Sequence, residues 1–234
     1  MTTASRVAIL QTGIPPAHLV DRFGRYDAMF ERLLGDGFAP QTFDVQAGAL
    51  PEDPAAFTGM IITGSSAGVY DDLPWISPLT DFLRSARGRT KLAGICFGHQ
   101  IMAQAFGGQV IKSPKGWGLG LHEYAVQART SWMDAAAAIR VPASHQDQVV
   151  ALPPDARVLA GSNFTPYGML DYADGTAMSL QLHPEFTPAF AAALVDRRFE
   201  SGLPAAEAEA ARASLAAPND TARVGGWIRR FLGG

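Results

Sequence analysis

The sequence is poor in cysteine: one residue, Cys96, occurs among 234. A single cysteine cannot close a disulfide within the chain, which excludes a small scaffold held by cystines and favours a reducing compartment. An excess of positive charge is also absent, since 19 Lys and Arg residues face 22 Asp and Glu residues for a net charge of −3. The basic residues are scattered, so we expect no nucleic-acid partner.

Long apolar runs are lacking as well. No stretch reaches the roughly 18 residues of a membrane span, and the first residues lead into a strand-like run without a secretory apolar segment. We therefore expect a cytoplasmic protein with no membrane partner. The chain also has no nucleotide-binding motif and no Gly-rich phosphate loop, and we expect neither a cofactor nor a metal.

The composition is that of a globular protein, with 47% hydrophobic and 18% charged residues. A length of 234 residues exceeds the commonest domain size but suits a doubly wound α/β domain of about 200 to 250 residues. We expect one domain over residues 1–234, with a helical segment from about residue 188.

The lone cysteine lies in a distinctive local pattern. An apolar run ends at Cys96 between Gly94 and Gly98, and a helical pattern begins directly afterwards. The two glycines remove Cβ atoms that would crowd a tight strand-to-helix turn, as in a nucleophile elbow. The N-terminus of the following helix favours the thiolate, which is the nucleophilic species. A buried structural cysteine is the alternative, but the glycines favour a nucleophile.

A nucleophilic thiol needs a base, and one histidine has suitable surroundings. His183 ends a strand-like run and lies two residues before Glu185, with Pro184 stiffening the link. The imidazole of His183 could take the thiol proton and later protonate a leaving amine, while Glu185 fixes its tautomer. His99, beside the elbow, is interpreted as a packing residue, and His145 as either structural or substrate-stabilising.

These residues carry a resemblance to the class I, triad-type glutamine amidotransferases. Residues 94–100 (Gly-Ile-Cys-Phe-Gly-His-Gln) and 183–185 (His-Pro-Glu) resemble the nucleophile and base motifs of the family. Residues 60–72 resemble its oxyanion-loop segment, and residues 144–149 resemble a histidine-containing segment of the branch similar to the amidotransferase domain of GMP synthase. The four segments occur in the family's order and cover most of the chain.

The resemblance implies hydrolysis of the glutamine side-chain amide through a thioester on Cys96, releasing ammonia and glutamate. His183 would carry the proton in both halves of the reaction, with Glu185 orienting it. The backbone amide of Phe97 follows the nucleophile and would bind the tetrahedral oxyanion, with the amide of Gly64 as the second donor.

The resemblance also implies substrate contacts. Gln100 would contact the glutamine, and the segment containing Ser144, His145, Gln146 and Asp147 would hold its α-amino and α-carboxylate groups.

Alternation of strand-like and helical segments predicts an open, mixed but mostly parallel twisted sheet with helices on both faces, which the resemblance makes flavodoxin-like. Ligands bind beyond the carboxyl ends of strands in such sheets, and Gly64 and Cys96 both follow predicted strands. The second half is expected to be antiparallel. The predicted strands are 6–11, 42–45, 59–63, 91–95, 121–126, 157–160, 168–172 and 177–182, and the predicted helices are 26–34, 75–86, one after Cys96, 189–198, 205–215 and 221–232.

Three functions remain open from the sequence. The chain could be an amidotransferase subunit that passes ammonia to a separate synthetase, or a free-standing hydrolase of γ-glutamyl peptides. Both would use the same triad and differ in the space beyond the scissile bond. A binding or regulatory module that has lost its chemistry is the third possibility, against which the intact Cys96, His183 and Glu185 argue.

Overall fold

The computed structural model describes residues 4–233, so residues 1–3 and 234 of the predicted domain lie outside the described residues. The regular elements alternate strand and helix through the first half of the chain and end in helices. In chain order they are β1 (Ser5–Gln11), α1 (Ala17–Phe23), α2 (Tyr26–Leu34), β2 (Phe38–Asp44), β3 (Gly59–Ile62), α3 (Ile76–Ala86), β4 (Lys91–Ile95), α4 (Phe97–Ala105), β5 (Gln109–Lys112), β6 (Gly118–Val126), β7 (Ala138–His145), β8 (Asp147–Ala151), β9 (Ala156–Gly161), β10 (Met169–Tyr172), β11 (Ala177–Leu180), α5 (Pro188–Glu200), α6 (Ala205–Ser214) and α7 (Thr221–Gly233).

Nine strands form one sheet in the order β2-β1-β3-β4-β11-β10-β9-β6-β7. The strands from β2 to β11 in this order pair in parallel, and the pairs from β11 to β7 are antiparallel. A separate antiparallel pair joins β5 to β8. The mixed sheet with an antiparallel second half is confirmed.

Helices cover both faces of the sheet. On one face, α3 and α4 bury apolar residues such as Leu79 and Ile101 against β1, β3 and β4. On the other, α2 and α7 bury Phe30 and Trp227 against the same strands. The central strands are apolar on both sides because both faces are covered, and this is why they appear in the sequence as continuous apolar runs.

Each strand and helix named from the sequence is present, with bounds shifted by a few residues. Four elements were not predicted: α1, β5, β7 and β8. The strand β7 contains Pro142, which cannot donate a ladder hydrogen bond and is tolerated because β7 lies at the edge of the sheet.

The residues after Pro188 form α5, α6 and α7, and an apolar stripe of α7 docks on the sheet as expected. Trp227 and Ile228 of this stripe are fully buried. At Gly59 of β3, a Cβ atom would lie 2.5 Å from Leu232, so glycine permits the close approach of α7. No helix within residues 4–233 is long and apolar enough to cross a membrane.

Candidate active site

Cys96 occupies the sharp turn between β4 and α4. Its φ of 54° and ψ of −102° lie in a region that side-chain-bearing residues rarely adopt, and within residues 4–233 it is the one non-glycine residue with positive φ. A Cβ at Gly94 would lie 2.5 Å from the Gly98 carbonyl oxygen, and one at Gly98 would collide with the carbonyl of Ile62. The glycines therefore allow the turn that holds the thiol beyond the sheet edge.

His183 follows β11, the strand that pairs in parallel with β4, so the two segments end at the same edge of the sheet. The backbone N–H of His183 donates to the Pro142 carbonyl at 2.9 Å, and its Nδ1 lies 2.7 Å from Oε1 of Glu185. Both side chains are buried. With Nδ1 bonded to the carboxylate, Nε2 is the ring nitrogen that remains for the thiol.

The histidines differ in electrostatic environment. Burial lowers the pKa of His99 and His145 to about 3 and also lowers that of His122. For His183, burial acts in the same direction, but the charges of Glu185 and Cys96 and hydrogen bonds to both outweigh it, and its pKa is raised to about 10. His183 is therefore the buried histidine poised to carry a positive charge beside the thiol. His99 is a packing residue whose Nδ1 lies 2.8 Å from the Ser179 hydroxyl.

Gly64 and Phe97, whose backbone amides are expected at the oxyanion, lie beside Cys96. Phe97 is the first residue of α4, where amides have no helical acceptor. A Cβ at Gly64 would lie 3.2 Å from His183 Cε1 and 3.8 Å from Cys96 Cβ. Within the described part of the chain, neither amide donates a hydrogen bond to a protein atom, which leaves both free for a ligand.

Hydrogen bonds fix the loop that contains Gly64. The Thr12 hydroxyl donates to the Thr63 carbonyl at 3.0 Å, and the Gly68 amide donates to Asp71 at 2.8 Å. Across the cleft, the Tyr70 hydroxyl donates to Asp147 Oδ2 at 2.8 Å. The loop is thus joined to the end of β1 on one side and to β8 on the other.

The structure gathers the residues predicted to contact substrate, but one is more constrained than the sequence suggested. The amide nitrogen of Gln100 donates to the Asp147 carbonyl at 2.9 Å and to Gln181 at 3.1 Å. Gln181, which sequence reasoning missed, also donates to the Cys96 sulfur at 3.6 Å. The available signal was a polar residue two positions before His183, in the mostly apolar segment 177–182 that the sequence predicts as a strand. His145 is buried, and its Nδ1 lies 3.2 Å from the Asp147 carbonyl.

These residues surround a cleft of about 520 Å³ that reaches well beyond the thiol. Its walls come from the loop after β3, from β5 to β8, and from α2 and α5. The lining residues are Ile14, Pro16, Tyr26, Gly64, Ser65, Ser66, Ala67, Gly68, Tyr70, Asp71, Cys96, Gln100, Lys112, Trp117, Ser144, His145, Gln146, Asp147, His183, Phe186, Leu194, Arg197 and Arg198. Within residues 4–233, no cluster of three or more His, Cys, Asp or Glu side chains is arranged to hold a metal ion.

Known proteins are similar to this chain in sequence and in fold. The family model for class-I glutamine amidotransferases matches residues 37–199. The chain is 33% identical over 190 residues to gamma-glutamyl peptidase 4 of Arabidopsis thaliana, covering 77% of this chain and 75% of the relative. It is 29% identical over 149 residues to a subunit of the glutamine-hydrolyzing GMP synthase of Ignicoccus hospitalis, covering 64% of this chain and 78% of that protein.

A solved glutamine amidotransferase from Thermotoga maritima has the same fold. Its TM-score is 0.74 at 17% identity, with all of both chains covered. The chain therefore belongs to the class-I glutamine amidotransferase family.

Proposed function

We propose that this protein hydrolyses the γ-amide bond of glutamine or of γ-glutamyl compounds through a covalent thioester on Cys96. The observation that carries the proposal is the strained elbow at Cys96, which lies beside a buried His183 whose Nδ1 is 2.7 Å from Glu185. Strain of this kind persists where the surrounding structure enforces it and is concentrated at functional sites.

In the first half-reaction, the Cys96 thiolate attacks the amide carbonyl carbon. Negative charge develops on the carbonyl oxygen, where the free N–H groups of Gly64 and Phe97 are available to bind it. The His183 imidazolium then gives its Nε2 proton to the departing nitrogen, and the C–N bond breaks. Ammonia leaves when glutamine is the substrate, and an amine leaves when it is a γ-glutamyl peptide.

In the second half-reaction, water attacks the thioester. His183, now neutral, takes a proton from the attacking water and keeps it, and the C–S bond then breaks with the sulfur leaving as thiolate. The γ-carboxyl group of the product loses its proton to solvent, so glutamate leaves and the pair of thiolate and imidazolium is restored. Glu185 stabilises the imidazolium and holds its tautomer throughout. The residues of the triad and the two backbone amides supply every group that these steps require.

For the amino-acid head of the substrate, we propose the wall formed by Ser144, His145, Gln146 and Asp147. The carboxylate of Asp147 suits an α-ammonium group, because it lies in the cleft and accepts from Tyr70 alone among the described side chains. The neutral His145 braces the Asp147 backbone. Gln100 acts on the same wall, since its amide nitrogen is bonded to the Asp147 carbonyl.

A specific observation favours γ-glutamyl peptides as a second class of substrate. Clefts of about 300 to 1,000 Å³ hold ligands of drug size, and the cleft here, at about 520 Å³, leaves space beyond the scissile bond of glutamine. The similarity to a protein named gamma-glutamyl peptidase supports this.

Transfer of the ammonia to a separate synthetase is the alternative, supported by the similarity to a component of GMP synthase. The single domain and the cytoplasmic location expected from the sequence stay predictions.

The test is release of glutamate by the purified protein from glutamine and from γ-glutamyl peptides, with Cys96→Ala as the blank. Turnover that disappears in this variant supports the mechanism. Activity that survives in Cys96→Ala would rule it out, and faster turnover of peptides than of glutamine would identify a self-sufficient peptide hydrolase.

A further inference from the structure

Two adjacent arginines at the end of α5 line the cleft without an acidic partner. Within residues 4–233, the guanidinium groups of Arg197 and Arg198 take part in no ion pair, although nearby Asp196 pairs with Arg212 at 2.6 Å. Surface arginines of this chain otherwise commonly pair with carboxylates, as Arg157 does with Asp171. Two unpaired cations side by side in a concave site form an anion-binding surface.

Arg198 is held in place by an aromatic ring. Its guanidinium carbon lies 3.7 Å from the ring centroid of Trp117, and both side chains are half-buried. Burial lowers the pKa of Arg198, and the positive charge of Arg197 lowers it further. The Arg198 side chain still carries its positive charge, because a guanidinium group stays protonated in proteins. A stacked guanidinium is already ordered, so little conformational entropy is lost when it binds an anion.

Tyr26 links this pair electrostatically to the thiol. Burial raises the pKa of the Tyr26 phenol, Cys96 and Glu185 raise it further, and Arg198 and Arg197 lower it. The phenol is therefore close enough to both groups to respond to their charges. Tyr26, the two arginines and the triad residues Cys96 and His183 all line the same cleft.

The carboxylates and the arginines of the cleft lie on different elements, and Lys112, opposite Asp147 in the β5–β8 pair, is a further cation of the lining. The carboxylates Asp71 and Asp147 lie on the loop after β3 and on β8, where we propose the α-ammonium group of the glutamyl head. Arg197 and Arg198 lie on α5 and form the basic wall, which meets the other wall where Arg198 stacks on Trp117, the residue before Gly118, which pairs with His145. A substrate with its glutamyl head at the acidic wall and its amide at Cys96 would extend its leaving group toward the basic wall.

We propose that Arg197 and Arg198, with Trp117 behind Arg198, form a subsite for the carboxylate of the leaving group. The preferred substrates are then γ-glutamyl amino acids or peptides with a free terminal carboxylate, which react with water to give glutamate and the free amino acid or peptide. This inference rests on the proposed function and deepens it. Arginine suits the task because its donors match a carboxylate in bidentate geometry.

The test compares three substrates that differ in one feature at a time. The leaving group of glutamine is ammonia, with nothing beyond the amide nitrogen. The leaving group of γ-glutamylglycine is glycine, which carries a carboxylate, and that of γ-glutamylglycinamide has an uncharged amide in place of this carboxylate. We expect kcat/KM of the wild type to be about ten- to a hundred-fold higher for γ-glutamylglycine than for its amide, the range expected for a charge-assisted hydrogen bond.

Substitution of the arginines should remove this preference selectively. In Arg198→Gln, we expect kcat/KM for γ-glutamylglycine to fall toward that of the amide, and to fall by a larger factor than kcat/KM for the amide or for glutamine, neither of which has a carboxylate on its leaving group. Arg198→Lys keeps the charge and should retain part of the preference. A retained preference would show that the loss in Arg198→Gln comes from the missing charge and not from lost packing on Trp117. Arg22→Gln is the matched control, because Arg22 also lies over an aromatic ring, that of Phe23, but does not line the cleft.

The outcomes separate this inference from the proposed function. Equal losses with all three substrates would place the arginines at the glutamyl head and overturn the inference, as would a wild type that does not distinguish the acid from the amide. If the wild type hydrolyses none of the substrates, the proposed function fails. In that case the proposed carboxylate subsite is tested by calorimetry, which compares the affinities of the wild type for γ-glutamylglycine and for its amide. Equal affinities would overturn the inference.

Discussion

The Phe186 ring lies face to face with the His183 imidazole, with centroids 3.9 Å apart and planes inclined by 5°. Phe186 in turn packs against Phe190 in an edge-to-face contact at 4.6 Å and lies nearly parallel to Tyr26 at 6.1 Å. The proposed base is thus restrained in two directions, by Glu185 in the plane of the imidazole and by Phe186 across its face.

Phe186→Leu should therefore reduce kcat more than its effect on folding explains. Removal of the stacked ring leaves the imidazole free to tilt, and we expect kcat to fall about ten-fold, since small misplacements of reacting groups are costly. The free energy of unfolding should fall by about 1 to 3 kcal/mol. Steady-state kinetics and denaturant unfolding measure the two effects. Phe106→Leu, which does not line the cleft, is the control, and equal kcat values in both variants would contradict a positioning role.

The sequence predicted those parts of the fold whose signal is local. The central strands, such as β3 with its run Gly59–Ile62, are buried on both faces and therefore continuous in apolar character. The strand β8 was missed because two of its five residues are exposed, and β7 was missed because polar residues and Pro142 interrupt its apolar sequence. The helix α1 has only seven residues, too few for a clear helical period.

The same reasoning applies to the site. Cys96, His183 and Glu185 belong to short contiguous motifs, so the local sequence pattern is enough to identify them as candidate catalytic residues. Gln181 and Gln100 meet across 81 positions of sequence, and no local pattern indicates that contact. Arg198 resembles any cation in the last turn of a helix until α5 docks beside Trp117.

Cys96→Gly should be more stable than Cys96→Ala. At φ 54° and ψ −102° a Cβ atom is strained, whereas glycine adopts such angles freely. We expect the free energy of unfolding to be about 1 kcal/mol higher for the glycine variant after its extra loss of chain entropy. Denaturant unfolding of the two inactive variants gives the difference directly. A glycine variant less stable than the alanine variant would show that the elbow is not strained.

Glu185→Gln should change the pH dependence of the reaction. Burial lowers the pKa of His183, and the charge of Glu185 is the largest of the effects that raise it, so removal of this charge should return the pKa toward or below the ordinary 6.5. The alkaline limb of kcat/KM should then move to lower pH, and kcat at neutral pH should fall about a hundred-fold, less than in Cys96→Ala. An alkaline limb that does not move would exclude His183 as the titrating group.

The ion pair between His183 and Glu185 also affects the stability of the fold. Because the pKa of His183 is raised on folding, its contribution is fully present below the unfolded value of 6.5 and is lost as pH rises through the folded value of about 10. The free energy of unfolding of the wild type should fall over that interval, and the fall should be smaller in Glu185→Gln. Unfolding measured from pH 6 upward in about one-unit steps tests this prediction.

Gly64→Ala should reduce kcat strongly, although the substitution adds only one methyl group. The added methyl would lie 3.2 Å from His183 Cε1, tighter than an ordinary contact, and the imidazole cannot retreat because Phe186 and Glu185 hold it. The loop must therefore move, and its amide with it. Since loss of one oxyanion donor costs about a hundred- to a thousand-fold, we expect kcat to fall by at least a hundred-fold.

The matched control for Gly64→Ala is Gly37→Ala. A Cβ at Gly37 would meet no atom within 4 Å, and its φ is not in the positive range, so the substitution restricts the unfolded chain without a steric cost. Activity should be unchanged and unfolding neutral or slightly less favourable. If Gly64→Ala retained wild-type kcat while Gly37→Ala behaved as expected, the amide of Gly64 would not be an oxyanion donor, and the second donor would have to come from another residue of the same loop.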